Sequence, residues 1–175
     1  ATVTGSVSGV TVTTNGAHVT VNASVAGVEY VLSGSASNGS FKVYSDKKFK
    51  LTLAGVSLTN DSGAGIHIQS GKRVFVEVKT ETENYLADAS SYSTVTGEDE
   101  KGCFFSEGQL IFSGTGALTV TGNYKHGICS DDYVRLRSGT GLIMNIILDP
   151  LFIFGFGWGT VGAALATWLA EATLV

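Results

Sequence analysis

The chain has 175 residues and a net charge of −4 at pH 7. That is the size of one domain, without the basic surplus a nucleic-acid partner demands. Hydrophobic residues make up 43% and Pro occurs once, which excludes a disordered or collagen-like chain. Two cysteines exclude a disulfide-dense scaffold. The first residue is Ala and no charged-then-apolar leader precedes it, as expected of a chain whose leader was removed or of a fragment. All 11 Lys and Arg lie before position 141, and beyond it only Asp149 and Glu171 are charged. The composition therefore divides the chain into a polar body, 1–140, and an apolar tail, 141–175.

The body is predicted to be all-β. Val10-Thr-Val-Thr-Thr and His18-Val-Thr-Val-Asn alternate apolar and polar residues, the period of a half-buried strand. Phe49-Lys-Leu-Thr-Leu and Val74-Phe-Val-Glu-Val-Lys repeat the pattern. Gly, Asn, Asp and Ser punctuate these runs as turns require. No segment before 141 has a helical period.

An internal repeat joins the strands. Ser45, Ser70, Ser106 and Ser130 each have an apolar residue two places earlier: Val43, Ile68, Phe104 and Ile128. Four places later stand Phe49, Val74, Leu110 and Val134, and two beyond those Leu51, Val76, Phe112 and Leu136. A strand–turn–strand unit of this length is one coil of a solenoid. The even offsets turn these residues inward, and coils must stack to bury that face. Asn60, Asn84 and Asn123 stand at strand ends and are expected to cap turns. The longest interval between serines contains an acidic insertion, Thr80 to Lys101. It is either a solvated loop or a binding face.

Several side-chain groups have the chemistry of a site. Tyr124, Lys125 and His126 are the best candidates for a glycan: the ring offers a flat apolar face and a hydroxyl, the bases offer donors. Tyr92 and Tyr85, in or near the insertion, add further faces. Asp131-Asp132 could serve a glycosidase or lyase, or cap a turn. A carboxylate pair on one outer face, roughly 5–10 Å apart in a groove, is the mark of the enzymatic alternative. Glu98-Asp99-Glu100 offers oxygens to Ca²⁺ without the spacing of a calcium loop; no other cofactor is expected. His18, His67 and His126 lack zinc-like spacing. Cys103 and Cys129 are expected to face outward on neighbouring coils, two residues out of step. That puts them about 8 Å apart, beyond bridging reach, and predicts two free thiols.

Tyr30-Val-Leu-Ser-Gly, Leu53-Ala-Gly-Val-Ser-Leu-Thr-Asn and Thr121-Gly-Asn-Tyr-Lys-His-Gly-Ile resemble a family of bacterial secreted proteins described as carbohydrate-binding domain-containing. The resemblance covers about Val28 to Arg137. It implies a right-handed, single-stranded parallel β-helix, an extracellular or cell-surface location, and a polysaccharide or other glycan as partner. Non-catalytic carbohydrate binding is the expected function.

The tail is predicted to be helical. Pro150 to Ala170 carries no charge, which meets the length criterion for a membrane span. Gly155, Gly157 and Gly159 are expected to divide it into two helices. In the absence of a membrane, the same apolar surface would cap the open end of the solenoid. Asn145-Ile-Ile-Leu-Asp149-Pro, Gly157-Trp-Gly and Gly162-Ala-Ala-Leu-Ala-Thr167 resemble multidrug and toxin extrusion transporters. That resemblance implies a cation site at Asn145, Asp149 and Thr167, and the tail as a fragment of a cation-coupled antiporter. Together the two resemblances suggest a chimera.

Overall fold

The structure is a computed structural model; it describes residues 1–137 apart from Val3 and Thr94. Among the described residues there are thirteen strands and no helix. A hairpin, β1 (Val10–Asn15) and β2 (Ala17–Ala23), comes first, then β3 (Glu29–Ala36). β4 (Gly39–Ser45) and β5 (Phe49–Thr59) form one coil. β6 (Ile66–Gln69), β7 (Val74–Val78) and β8 (Glu83–Ala87) form the next. β9 (Gly102–Ser106), β10 (Leu110–Ser113) and β11 (Ala117–Thr121) form a third, and β12 (His126–Ser130) with β13 (Val134–Leu136) begins another.

The coils stack as a parallel β-helix. One sheet runs β1-β2-β4-β6-β9-β12 and the other β11-β8-β5-β7-β10-β13, with β3 paired to β5. β5 belongs to two faces because it bends. Its first half pairs with β7 and its second half with β8. The bend is a bulge: Leu32 pairs with Leu53, but Gly34 pairs with Val56. Gly34 and Gly55 have φ of +86° and +81°, a conformation only glycine adopts freely. The freed Gly55 and Val56 N–H groups both donate to Asn84 Oδ1 of the next coil, at 2.9 and 3.0 Å.

The third strand of each coil corrects the simple strand–turn–strand unit. Glu83–Ala87, expected within the insertion, is β8 and pairs with β5 and β11. The true insertion is shorter and begins at Asp88.

The inward residues are those the repeat predicts except in the last coil, where Val134, expected inward, is 38% exposed because no described coil stacks beyond it. Val43, Ile68 and Phe104 are fully buried, as are Leu51, Val74, Val76, Leu110 and Phe112. Ile128 and Leu136, in the last coil, are partly buried against the same cluster. Phe49, Val74, Leu110 and Val134 occupy one register row. Each marker serine makes the same turn, its Oγ accepting the N–H two residues on: Lys47 (3.1 Å), Lys72 (3.3 Å), Gly108 (3.3 Å) and Asp132 (3.1 Å). This is the local hydroxyl-to-backbone bond that favours serine in turns.

Three details differ from the expected pattern. β1 and β2 pair antiparallel, so the first strand of the stack is a hairpin arm and not a parallel coil. Ile68 pairs with Ser106 and Ile66 with Phe104, two residues from the register the serines imply. Gly108 lets the backbone close in at that corner: a Cβ there would stand 2.6 Å from the Ser70 carbonyl oxygen. Asn84 lies inside β8 and caps the bulge on β5, whereas Asn60 caps its own turn through Ser62 N–H and the Ala64 carbonyl.

The tail at 141–175, expected to be helical, lies outside the described residues, and with it Asn145, Asp149 and Thr167. Among the described residues no helix is long and apolar enough to cross a membrane.

Candidate functional site

The insertion crosses the outer face of the first sheet as a strap, residues 88–101. Outward residues of successive strands stand in rows there. Lys42 of β4 pairs with His67 of β6, which pairs with Phe105 of β9, which pairs with Cys129 of β12. On a bare solenoid such a row faces water. Here His67 and Phe105 are buried, with ring centroids 5.5 Å apart. The strap is tied down by Ser93 N–H to the Ser62 carbonyl (2.9 Å) and Ala89 N–H to the Gly63 carbonyl (3.4 Å).

Charge holds the middle of the strap. Glu98 and Glu100 point toward the sheet, and Lys42 Nζ reaches both, at 2.7 and 3.3 Å. Tyr44 O–H donates to Glu98. Glu100 also accepts Ala64 N–H at 3.2 Å. His67 Nδ1 lies 2.6 Å from Glu100 Oε1 and 3.6 Å from Glu98 Oε2, yet at an angle that makes no hydrogen bond. Burial raises the pKa of Glu100, but His67, the Ala64 N–H and Lys42 outweigh it and hold the carboxyl down to about 2. Glu98 is likewise held low: burial works against it, and the bonds from Lys42 and Tyr44 prevail. Burial also disfavours the Lys42 ammonium, and the two glutamates reverse that effect.

Asp99 turns the other way, to Lys101 (3.1 Å). The run Glu98-Asp99-Glu100 therefore splits between two sides of the strap and makes no single calcium loop. Two groups of side chains bring potential metal-ligating atoms within 4.8 Å of one another: His67, Glu98 and Glu100; and Asp99, Glu107 and Asp131. In the second group Lys101 already neutralises Asp99 and Asp131. Asp131 and Asp132 point apart, to Lys101 and to Gln109, as turn acids do.

The start of the strap carries the aromatic part. Asp88 Oδ1 accepts Asn123 N–H and Oδ2 accepts the Tyr92 hydroxyl, both at 2.5 Å. Tyr92 then stacks on Tyr124, with centroids 4.4 Å apart and planes at 29°. Lys125 Nζ stands 4.8 Å from the centre of the Tyr124 ring. These three residues, with Glu98, Asp99, Glu100 and Lys101, border a cleft of about 230 Å³. Burial, then the Asp88 carboxylate, raise the Tyr92 pKa well above its ordinary value.

Of the residues predicted from sequence, Tyr92, Tyr124 and Lys125 are brought together. His126 begins β12, pairs with Gly102 and does not border the cleft. Tyr85 belongs to β8, in the other sheet. Cys103 and Cys129 are free, and Cys129 aligns with Phe105, two residues out of step as expected. Cys103, expected to face outward, is instead fully buried and part of the hydrophobic core cluster. Lys42, Tyr44, His67 and Asp88 were not singled out as site residues. The one signal available was the repeat offset that sets Lys42 beside His67.

With this geometry in view, a family model described as "Carbohydrate-binding domain-containing protein" matches residues 15–145. The chain belongs to that family. A curated relative of the same description from Acetivibrio thermocellus is 32% identical over 114 residues, covering 63% of this chain and 40% of its own length. Among solved structures, a polysaccharide lyase-like protein from C. thermocellum, determined as a gadolinium derivative, superposes with a TM-score of 0.66 at 28% identity. That match covers 75% of this chain and 53% of the other. The chain thus spans about half or less of the relatives it matches. These comparisons give no support to a transporter fragment, a chimera or a membrane partner.

Proposed function

We propose that this carbohydrate-binding domain holds a polysaccharide chain in the cleft bordered by Tyr92, Tyr124 and Lys125. The observation that carries this reading is the stacked tyrosine pair with an amine beside it. Tyr124 is 38% exposed; with Tyr92 stacked on it and the Lys125 ammonium over its ring, a sugar packs its C–H face on the ring once the flexible amine swings aside, and that amine and the Tyr124 hydroxyl then donate to sugar oxygens. The pair is preorganised: Asp88 fixes Tyr92 and the turn at Asn123 together, so little side-chain freedom is lost on binding.

A second reading, cleavage of the bound polysaccharide, draws on Glu98 and Glu100, which border the same cleft. Both carboxylates are already engaged by Lys42, which favours binding over proton transfer. A glycan panel probed with the full chain tests the first reading. Binding to at least one polysaccharide is expected, with Tyr124→Ala weakening it about tenfold, the equivalent of about 1.4 kcal/mol. No binding across the panel, or equal binding by Tyr124→Ala, contradicts it. New reducing ends appearing during incubation with the bound polysaccharide would establish the second reading.

A further inference from the structure

The tautomer of His67 can be read from its neighbours. Its Nε2 lies 2.9 Å from Gln69 Oε1. The Gln69 amide is oriented by Glu107, whose carboxylate accepts from Gln69 Nε2 at 3.2 Å. A carboxylate only accepts, so the amide nitrogen must face Glu107 and the amide oxygen must face the imidazole. Nε2 therefore carries a proton. In a neutral ring that leaves a lone pair on Nδ1, which is buried, has no hydrogen bond, and points at the Glu98 and Glu100 oxygens. Two carboxylates facing Nδ1 call for a positive centre between them, either a second proton on the ring or a metal ion. An imidazole whose far N–H is held by an outer partner, and whose near nitrogen faces carboxylates, is the arrangement of a metal ligand.

We propose that His67 Nδ1, Glu98 and Glu100 form a binding site for a divalent first-row transition ion such as Zn²⁺. The ligand atoms lie within 4.8 Å of one another. Glu98 already stands 3.6 Å from Nδ1, and Glu100, at 2.6 Å, must move away by roughly half an ångström for both to reach a shared centre with bonds of about 2.0–2.2 Å. One imidazole among the ligands selects a transition ion over Ca²⁺ or Mg²⁺, which prefer all-oxygen shells. Lys42 occupies the ion's place meanwhile, since its ammonium touches both glutamates. A second cleft, of about 190 Å³, is bordered by Lys42, His67 and Glu100. It gives the ion an entry and the displaced amine a place to move. The inference does not rest on the tyrosine contacts assigned to the sugar, although Glu98 and Glu100 border the same cleft.

The test is titration of the full chain with Zn²⁺ at neutral pH against a chromogenic chelator. One ion per chain is expected. His67→Ala lowers affinity more than about 100-fold, beyond the roughly 10–100-fold that loss of the outer partner in Gln69→Leu costs. Lys42→Met tightens binding by removing the competing cation, and it does not depend on His67→Ala remaining folded. A variant lacking His18, His126 and Cys129 binds as the parent does. Absence of uptake by both the parent and Lys42→Met overturns the proposal. So does uptake that survives in His67→Ala, or that is lost with His18, His126 and Cys129.

Discussion

Ser106 has no exposed surface, and its hydroxyl is the partner of Gly108 N–H. Ser45 makes the same bond to Lys47 in a partly exposed turn. Removing the hydroxyl from a buried turn strands a donor with no water to replace it, which costs about 1–3 kcal/mol. In an exposed turn, water takes over and the cost is within about 0.5 kcal/mol. Chemical denaturation of Ser106→Ala and Ser45→Ala is expected to show that difference; equal losses would mean the turn bonds contribute alike whatever their burial. At this scale the sequence was informative about role and less so about rank. The serine offsets located all four turns, because the hydroxyl-to-backbone bond is local. Asn84 was legible as a capping residue, but its partners Gly55 and Val56 lie in the preceding coil. Linear spacing carries no mark of a bulge on a neighbouring strand.

The strap changes what the outer face of the first sheet can do. Without it, the row Lys42, His67 and Phe105 would meet water. Cys103 beside that row lies in the core cluster, where burial pushes its thiol from its ordinary 9.0 up to about 12, helped by the Asp88 carboxylate at the start of the strap. The sign follows from linkage. Between about pH 9 and pH 12 the unfolded chain ionises at this position and the folded chain does not, so protons favour the fold and stability falls as pH rises. Cys103→Ala is expected to flatten that part of the stability profile, measured by denaturation at successive pH values. An unchanged slope would mean the thiol is not covered as described. In the native protein at pH 8, a thiol reagent should label Cys129 ahead of Cys103. The strap's position was only half legible. Its acidic run marked an insertion, but Glu83–Ala87 has the length and polarity of a loop and is a strand because β5 and β11 flank it. Pairing by neighbours overrides weak local propensity. The role of His67 is illegible in the sequence for the same reason: its partners Glu98 and Glu100 arrive from the insertion and not from its own strand.

Across the whole molecule, the stacking of coils was the most legible feature. A repeat states the same inward positions several times, and Val43, Ile68 and Phe104 are buried accordingly. The two-residue slip at Ile68 and Ser106 was not legible, since it depends on how closely one corner nests under another at Gly108. The antiparallel hairpin at the start of the stack was hidden too, because alternation is the same in either strand direction. Besides Tyr85 on β8, the stack offers two outer surfaces with paired aromatic side chains. One is the strap cleft with Tyr92 and Tyr124; the other, on the second sheet and the turn leading to its last strand, includes Phe75 and Tyr133, which are 40% and 39% exposed. Amide chemical-shift mapping with a bound oligosaccharide distinguishes them most directly. The shifts should gather on residues 88–101 and 122–126 and fade toward β7 and β13. Shifts gathered around Phe75 and Tyr133, with the strap unmoved, would contradict the account.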